Sequence, residues 1–343
     1  MNRSFAQFSP AHLVFPYQQR RLPRHRPMLL HKLDDLRRED RRPASSHPPP
    51  FLTFPSLLSI IERGANASSI EEGDEVDTRS KNESMLGVMP VLFVGHGNPM
   101  NAIADNEFSR GWQEAAKTIP KPTAILCISA HWEAKGTFVT AMEKPRTIHD
   151  FGGFPDELYE VEYPAPGSPA LASEVQEGVR LTHVEPDQAW GLDHGTWSVA
   201  RRFYPEANVP IVQMSLDYTK PPRWHYDLAR ELATLRSKGV LILGSGNIVH
   251  NLRLVDWHAT EGLAWAQEAN EKMKRLVSTG DDQALINYHS LGKEVQLAVP
   301  TPEHYLPLLY ALALREKGDN ISFFNEKPDL GSIFMTSVRI GRS

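Results

Sequence analysis

The segment Val91-Leu-Phe-Val-Gly-His-Gly-Asn-Pro99 decides the fold that we expect for this chain. Its four leading apolar residues predict a short buried strand, and the Gly-His-Gly-Asn-Pro turn ends that strand. The glycines on either side of His96 let the backbone turn sharply and expose the imidazole at the carboxyl end of the strand. A strand of continuous apolar residues is typical of a parallel sheet covered on both faces.

Three further apolar runs repeat this pattern along the chain. They are 123–128, 209–214 and 240–243. Residues 221–238 carry leucines at helical spacing before Gly239, which predicts a helix between the last two runs. Strands that alternate with helices predict a single α/β domain with a mostly parallel central sheet flanked by helices. Ligands of such sheets bind at the carboxyl ends of the strands, so we expect the functional site there.

Residues 1–84 differ in composition from the rest of the chain. They are rich in proline and arginine, show no helical or strand period, and end in an acidic polar stretch. We interpret them as a disordered or non-native extension, and 85–343 as the catalytic domain. Two alternatives for the extension stay open: an organelle-targeting segment, since 1–33 lack acidic residues, or a start codon placed too early, with Met85 or Met89 as the true start.

The composition restricts the partners and the ligands. The 343 residues carry a formal net charge of −5, which argues against a nucleic-acid-binding protein. No apolar stretch approaches the roughly 20 residues that a membrane helix needs, so we expect a cytoplasmic protein without membrane contact. The single cysteine, Cys127, excludes both an internal disulfide and a thiolate ligand set. A metal in this protein must therefore use His, Asp or Glu.

Histidines mark the candidate metal site, because ten of the 14 lie after residue 90. Four follow strands or glycine- and proline-rich turns: His96, His131, His250 and His304. Neutral imidazoles suit Zn²⁺ or Fe²⁺, so we predict one divalent ion per chain. The sequence has no HExxH and no His-x-His, so spacing alone matches no established metal signature. The alternative is that these histidines are structural side chains, hydrogen-bonded at strand ends.

Two turn-rich loops combine histidine, aspartate and aromatic residues. They are Thr147-Ile-His149-Asp150-Phe-Gly-Gly-Phe154 and Trp190-Gly-Leu-Asp193-His194-Gly-Thr-Trp197. We expect both loops to contact the ligand. The alternative is that they are packed loops whose aspartates cap helices.

Seven segments together resemble the bacterial and plant 4,5-DOPA extradiol dioxygenases, of the class III extradiol ring-cleavage superfamily. They begin at Gly95, Ser129, Thr147, Tyr163, Trp190, Gly246 and Pro300, and they read GHGNPM, SAHW, TIHDFGGFP, YPAPGSP, WGLDHGTW, GNIVHNLR and PTPEHYLP. They lie in the family's order from about residue 89 onward. Several motifs in register are far more specific than any one of them.

The resemblance implies a site and a reaction. The metal ligands are His96 and His131, supplemented by His250 and His304, with Glu303 as the ligand if His304 points away. The expected substrates are O₂ and a catechol such as DOPA. The aromatic ring of the catechol is expected to be cleaved next to its diol. His194 is the expected acid/base residue, with His250 as the alternative if it does not bind the metal. The carboxylate of Asp193, next to His194 in sequence, is expected to hold its ring and tune its pKa.

The substrate pocket follows from the same resemblance. His149 and Asp150 are expected to bind the amino-acid part of the substrate, and Trp197 to form an aromatic wall with Trp132 and Phe151. The competing functions are a zinc-dependent hydrolase and a non-redox zinc-binding protein that use the same histidines. Nothing in the residues indicates an oligomeric state.

Overall fold

The computed structural model describes residues 87–342. Within this range the strands are β1 (Val91–Gly95), β2 (Ala124–Ala134), β3 (Thr137–Thr140), β4 (Val184–Asp187), β5 (Ile211–Asp217), β6 (Val240–Gly246), β7 (Asn320–Phe324), β8 (Pro328–Asp329), β9 (Ile333–Phe334) and β10 (Ser337–Gly341). The predictions for residues 1–84 lie outside the described residues.

The α-helices in the same range are α1 (Glu107–Lys117), α2 (Asp156–Tyr159), α3 (Pro169–Gly178), α4 (His194–Phe203), α5 (Pro222–Arg230), α6 (Thr234–Ser237), α7 (Ala264–Thr279), α8 (Asp282–Ile286), α9 (Lys293–Ala298) and α10 (Leu306–Ala313). Short 3-10 helices span Pro99–Ala102, Leu252–Leu254 and Tyr288–Ser290. No helix between residues 87 and 342 combines the length and the apolar character needed to cross a membrane.

The central sheet has eight strands in the order β4-β3-β5-β2-β6-β1-β10-β7. The four strands in the middle, β5, β2, β6 and β1, all run parallel. On one side β10 and β7 extend the sheet as antiparallel strands. On the other side β3 pairs antiparallel with β5 and parallel with β4. The predicted α/β domain with a mostly parallel sheet is confirmed.

Alternate residues of the parallel strands enter two different hydrophobic cores. In β2, Leu126 and Ile128 pack into one core, whereas Ile125 and Cys127 pack into the other. The same alternation occurs in β1 and β6. Helices α3, α5, α7 and α10 cover the first face, while α1 and α4 cover the second. Burial on both faces explains why these strands are continuous apolar runs.

Two elements differ from their predicted bounds. The helix expected over 221–238 is divided into α5 and α6, because residues 231–233 form a turn. Strand β2 continues beyond its apolar run to Ala134, with a register shift against β5 between Ile128 and Glu133. His131 therefore lies within the extended strand, at its irregular end, rather than in a loop after it.

Candidate metal centre and catalytic site

Three of the predicted histidines converge at the carboxyl edge of the sheet. His96 follows β1, His131 lies in β2, and His304 precedes α10. One ring nitrogen from each falls within 4.8 Å of the others. The Nε2 atoms of His96 and His131 are 3.0 Å apart. Parallel strands end at the same edge of a sheet, which is why segments far apart in sequence meet here.

Glycines make this convergence sterically possible. A Cβ atom on Gly246 would lie 2.1 Å from the carbonyl oxygen of His304, so only glycine lets that segment approach the end of β6. A Cβ atom on Gly195 would lie 2.9 Å from Cδ2 of His131. Gly195 therefore brings the first turn of α4 against the end of β2.

The tautomer of His96 follows from its hydrogen bonds. Ser245 Oγ donates its only hydrogen to the carbonyl oxygen of Gly195, at 2.6 Å. The contact of 3.0 Å between Ser245 Oγ and His96 Nδ1 therefore requires Nδ1 to carry the hydrogen. In the neutral ring this leaves a lone pair on Nε2, the atom that faces His131.

Carboxylates lie beside Nδ1 of the other two histidines. Asp150 Oδ2 is 3.4 Å from Nδ1 of His131, and Glu303 Oε1 is 3.3 Å from Nδ1 of His304. Each carboxylate favours the hydrogen on Nδ1 and leaves Nε2 free, as is usual for metal-binding histidines. Lone pairs on the two Nε2 atoms of His96 and His131, 3.0 Å apart, repel each other unless a cation lies between them. The donor set thus fits a divalent ion, with His304 among the converging side chains and Glu303 beside its Nδ1.

The electrostatics keep the imidazoles of His96 and His131 neutral. Burial, and then the neighbouring histidines, hold the pKa of His96 well below its usual value. Burial and His194 lower the pKa of His131 in the same way, although Asp150 opposes the shift. Neutral imidazole is the form that binds a metal ion.

His194 pairs with a different carboxylate from the one beside it in sequence. Its Nδ1 lies 3.0 Å from Asp150 Oδ2, and its backbone N–H donates to Asp150 Oδ1 at 2.8 Å. Burial works to lower the pKa of His194, but the Asp150 charge outweighs burial and the pKa is raised. The same pairing holds the pKa of the Asp150 carboxyl well below its usual range despite its burial. The ring of His194 lies 3.9 Å from the ring of His131, between centroids.

Asp193, which the sequence suggests as the partner of His194, instead caps α4. Its Oδ1 accepts hydrogen bonds from Ser129 Oγ at 2.7 Å and from the Thr196 N–H at 3.0 Å. Gln213 Nε2 donates to its other oxygen. Burial and the Asp150 charge raise the pKa of Asp193 to about 6.

The predicted substrate-binding residues lie beside His194, but they already have protein partners. Asp150 is shared by His131 and His194, and His149 Nε2 is 3.0 Å from the carbonyl oxygen of Val161. Trp197 is completely buried, and its indole N–H donates to the carbonyl of Ile148 at 2.8 Å. Trp197 therefore anchors the 147–154 loop through its hydrogen bond to Ile148.

Aromatic side chains of the two loops pack against neighbouring rings. Phe151 meets the ring of His194 edge-on, with centroids 5.6 Å apart. Trp132 stacks on Trp190, with centroids 5.3 Å apart and planes 4° apart. The two predicted ligand-contacting loops, 147–154 and 190–197, thus meet at one site.

His250, the predicted fourth ligand, stacks on His304. Their ring centroids are 3.6 Å apart and their planes differ by 9°. Within residues 87–342, His250 is not among the three side chains whose nitrogens converge. Its role as a ligand stays a prediction.

The patterns in the sequence indicate no role for Ser129 and Ser245, the hydroxyls that hold this arrangement together. Each lies at the end of an apolar run: Ser129 is the first residue of the SAHW segment, and Ser245 directly precedes the GNIVHNLR segment. The signal was their position: a serine that completes a buried strand needs hydrogen-bond partners, and the nearest ones are at the strand ends.

Comparison with protein families decides the class of this protein. Residues 90–327 match the family of the catalytic LigB subunit of aromatic ring-opening dioxygenase. The chain belongs to the LigB family. This LigB chain is 49% identical to the 4,5-DOPA dioxygenase extradiol of Escherichia coli K12, over 74% of the chain and 95% of that protein. It is 35% identical to the 4,5-DOPA dioxygenase extradiol of Beta vulgaris, over 71% of the chain and 93% of that protein.

A solved structure shows the same fold as this LigB chain. The crystal structure of an uncharacterized protein from Escherichia coli K12 matches with a TM-score of 0.65 and 44% identity. The match covers 74% of the LigB chain and 100% of that protein. The predicted family and the predicted enzyme class, an aromatic ring-opening dioxygenase, are confirmed.

Proposed function

We propose that the protein is a metal-dependent extradiol dioxygenase that cleaves a catechol next to its diol, using O₂. The proposed ligands are His96, His131 and His304, and the proposed acid/base residue is His194. One observation carries the proposal: three imidazoles converge directly beside a fourth that is paired with a carboxylate. Zn²⁺ and Fe²⁺ both suit such a donor set, and O₂ chemistry favours Fe²⁺.

Each component of the site has a distinct part in this reaction. His96, His131 and His304 would hold a divalent ion, and such an ion would supply the positive charge that lowers the pKa of a catechol's hydroxyls. Because Asp150 engages Nδ1 of His194, Nε2 is the nitrogen left to take a hydroxyl proton and later return it. The raised pKa of His194 makes that nitrogen a stronger base. Phe151 places an apolar ring edge-on against the ring of His194.

The proposed substrate is DOPA or a related catechol. Two observations support it: the relatives named above are 4,5-DOPA dioxygenases, and an edge-on Phe151 beside His194 suits an aromatic ring. His149 stays a candidate for contact with the amino-acid part of the substrate. It faces Phe151 at 5.8 Å between ring centroids.

The test is an anaerobic metal-loading experiment. The metal-free chain is loaded with Fe²⁺ or Zn²⁺ without oxygen, then mixed with O₂ and a panel of catechols that includes DOPA. We expect stoichiometric O₂ consumption and ring-opened products with Fe²⁺, because Zn²⁺ has no redox chemistry with O₂. Hydrolysis by the zinc form without any O₂ uptake by the iron form would reject the dioxygenase in favour of a zinc hydrolase.

A further inference from the structure

We propose that Ser129 and Ser245 form a clamp that positions the metal ligands and His194 relative to each other. The proposal rests on the metal site of the proposed function and assigns positioning roles to two side chains that touch neither substrate nor metal. The term serine clamp below means these two residues.

The two serines are neighbours in the central sheet. Ser129 of β2 and Ser245 of β6 are directly paired in the parallel ladder, and both are fully buried. Each donates a hydrogen bond to the first turn of α4. Ser129 Oγ donates to Asp193 Oδ1 at 2.7 Å, and Ser245 Oγ donates to the Gly195 carbonyl oxygen at 2.6 Å.

Each clamp hydroxyl also accepts a hydrogen bond from a ligand histidine. Ser245 Oγ accepts from Nδ1 of His96 at 3.0 Å, and Ser129 Oγ accepts from the backbone N–H of His131 at 3.3 Å. A serine hydroxyl has one hydrogen to donate and lone pairs to accept with, so both serines use both functions. One bond of each serine goes to α4 and the other to a ligand.

This pattern positions two functional side chains, those of His194 and His96. His194 lies between Asp193 and Gly195, the two residues that the clamp holds, so its position depends on both serines. Ser245 also determines the tautomer of His96, since its own hydrogen is committed to Gly195. Loss of a partner behind a metal-binding histidine typically lowers metal affinity or activity by about 10–100-fold.

The experiment measures metal affinity in variants of Ser245. Ser245→Ala removes the acceptor for His96 Nδ1, and Ser245→Thr keeps a hydroxyl. The matched control is Ser215→Ala, which removes an equally buried serine of β5 whose Oγ accepts only from the Phe138 N–H. Zn²⁺ affinity by chelator competition and the absorption spectrum of the Co²⁺ form are compared, with melting temperatures as the check on folding.

We expect Ser245→Ala to bind Zn²⁺ roughly 10–100-fold more weakly and to show an altered Co²⁺ spectrum. Ser245→Thr should recover most of the affinity, and Ser215→Ala should match the wild type. Wild-type affinity in Ser245→Ala would overturn the clamp, and so would equal losses in Ser245→Ala and Ser215→Ala. A wild-type chain that binds no metal would overturn the metal site itself, which separates the two failures.

Discussion

Asp150 Oδ2 lies 3.0 Å from Nδ1 of His194 and 3.4 Å from Nδ1 of His131. One carboxylate oxygen thus serves both a proposed metal ligand and the proposed acid/base residue. The negative charge on that oxygen favours a hydrogen on Nδ1 of both rings, which leaves Nε2 as the unprotonated nitrogen of each neutral ring. Orientation of the ligand and orientation of the base therefore depend on the same side chain.

Asp150→Asn should lower turnover by about 10²–10⁴-fold, the usual contribution of general acid–base catalysis. The amide keeps the shape but loses the charge that raises the pKa of His194. His194→Ala should cost about as much, and the double variant little more, because the two residues act as one unit. Steady-state kinetics and metal content, measured together, check this.

The same variant tests the role that the sequence suggests for Asp150. If Asp150 binds the amino-acid part of the substrate, Asp150→Asn should raise KM for DOPA and leave an unsubstituted catechol unaffected. Equal losses of kcat with both substrates would support the pairing with His194 instead.

Two substitutions of His250 distinguish a side chain that only stacks on His304 from one that binds the metal. We expect His250→Phe to retain the metal, because the phenyl ring preserves the stack on His304, and His250→Ala to bind it more weakly. Metal content after dialysis against a weak chelator is the measurement. If Phe and Ala variants both lose the metal as completely as His96→Ala does, His250 is a ligand, as the sequence suggests.

Gly195→Ala should weaken metal binding even though alanine favours a helix. The added Cβ would lie 2.6 Å from Ser129 Oγ and 2.9 Å from His131 Cδ2, so the end of β2 must shift. The control is Gly178→Ala at the end of α3, where the nearest atom would be 3.9 Å away. We expect that control to be neutral or stabilising by up to about 1 kcal/mol. Unchanged metal affinity in Gly195→Ala would show that the contact relaxes without moving His131.

The buried His225 predicts how stability depends on pH. Its Nε2 lies 3.2 Å from the Asp217 carbonyl oxygen and its Nδ1 3.0 Å from the Tyr310 hydroxyl. Burial lowers the pKa of His225 from its usual 6.5 to about 4, although the hydrogen bond to Asp217 opposes the shift. As the pH falls, the unfolded chain is therefore protonated first.

The free energy of unfolding should consequently fall as the pH drops from 6.5 to 4, by at most about 3 kcal/mol from this residue. Glutamine does not titrate in this range. The free energy of unfolding, measured in urea, should therefore fall more steeply with decreasing pH in the wild type than in His225→Gln. If the free energy of unfolding depends on pH in the same way in both proteins, His225 is not the source of the pH dependence.

The sequence was informative where structure is local. The apolar run before His96 and the one before His131 each predict a buried strand, and the carboxyl ends of parallel strands meet by geometry. The pairing of His194 with Asp150 was not predictable in this way, since 44 residues separate them. Sequence proximity favoured Asp193, which the backbone of α4 recruits as its cap.

The placement of β10 also has no local signal. Val338 and Ile340 are ordinary buried strand residues, and nothing in their pattern specifies the neighbour or the direction. β10 pairs with β1, which lies more than 200 residues earlier in the chain. This pairing depends on which strand of the parallel sheet still has an unpaired edge, and no local pattern encodes that.

The position of β10 has a consequence for biosynthesis. Strand β1, which leads into His96, pairs with β6 on one side and with β10 on the other. The Gly95 N–H donates to Ser337 Oγ, 242 residues further along the chain. During translation β1 therefore has an open edge until β10 leaves the ribosome, and an open edge is a template for aggregation. Nascent chains that stall before residue 337 should therefore be clients of chaperones, because the strand that leads into His96 is still unpaired along one edge.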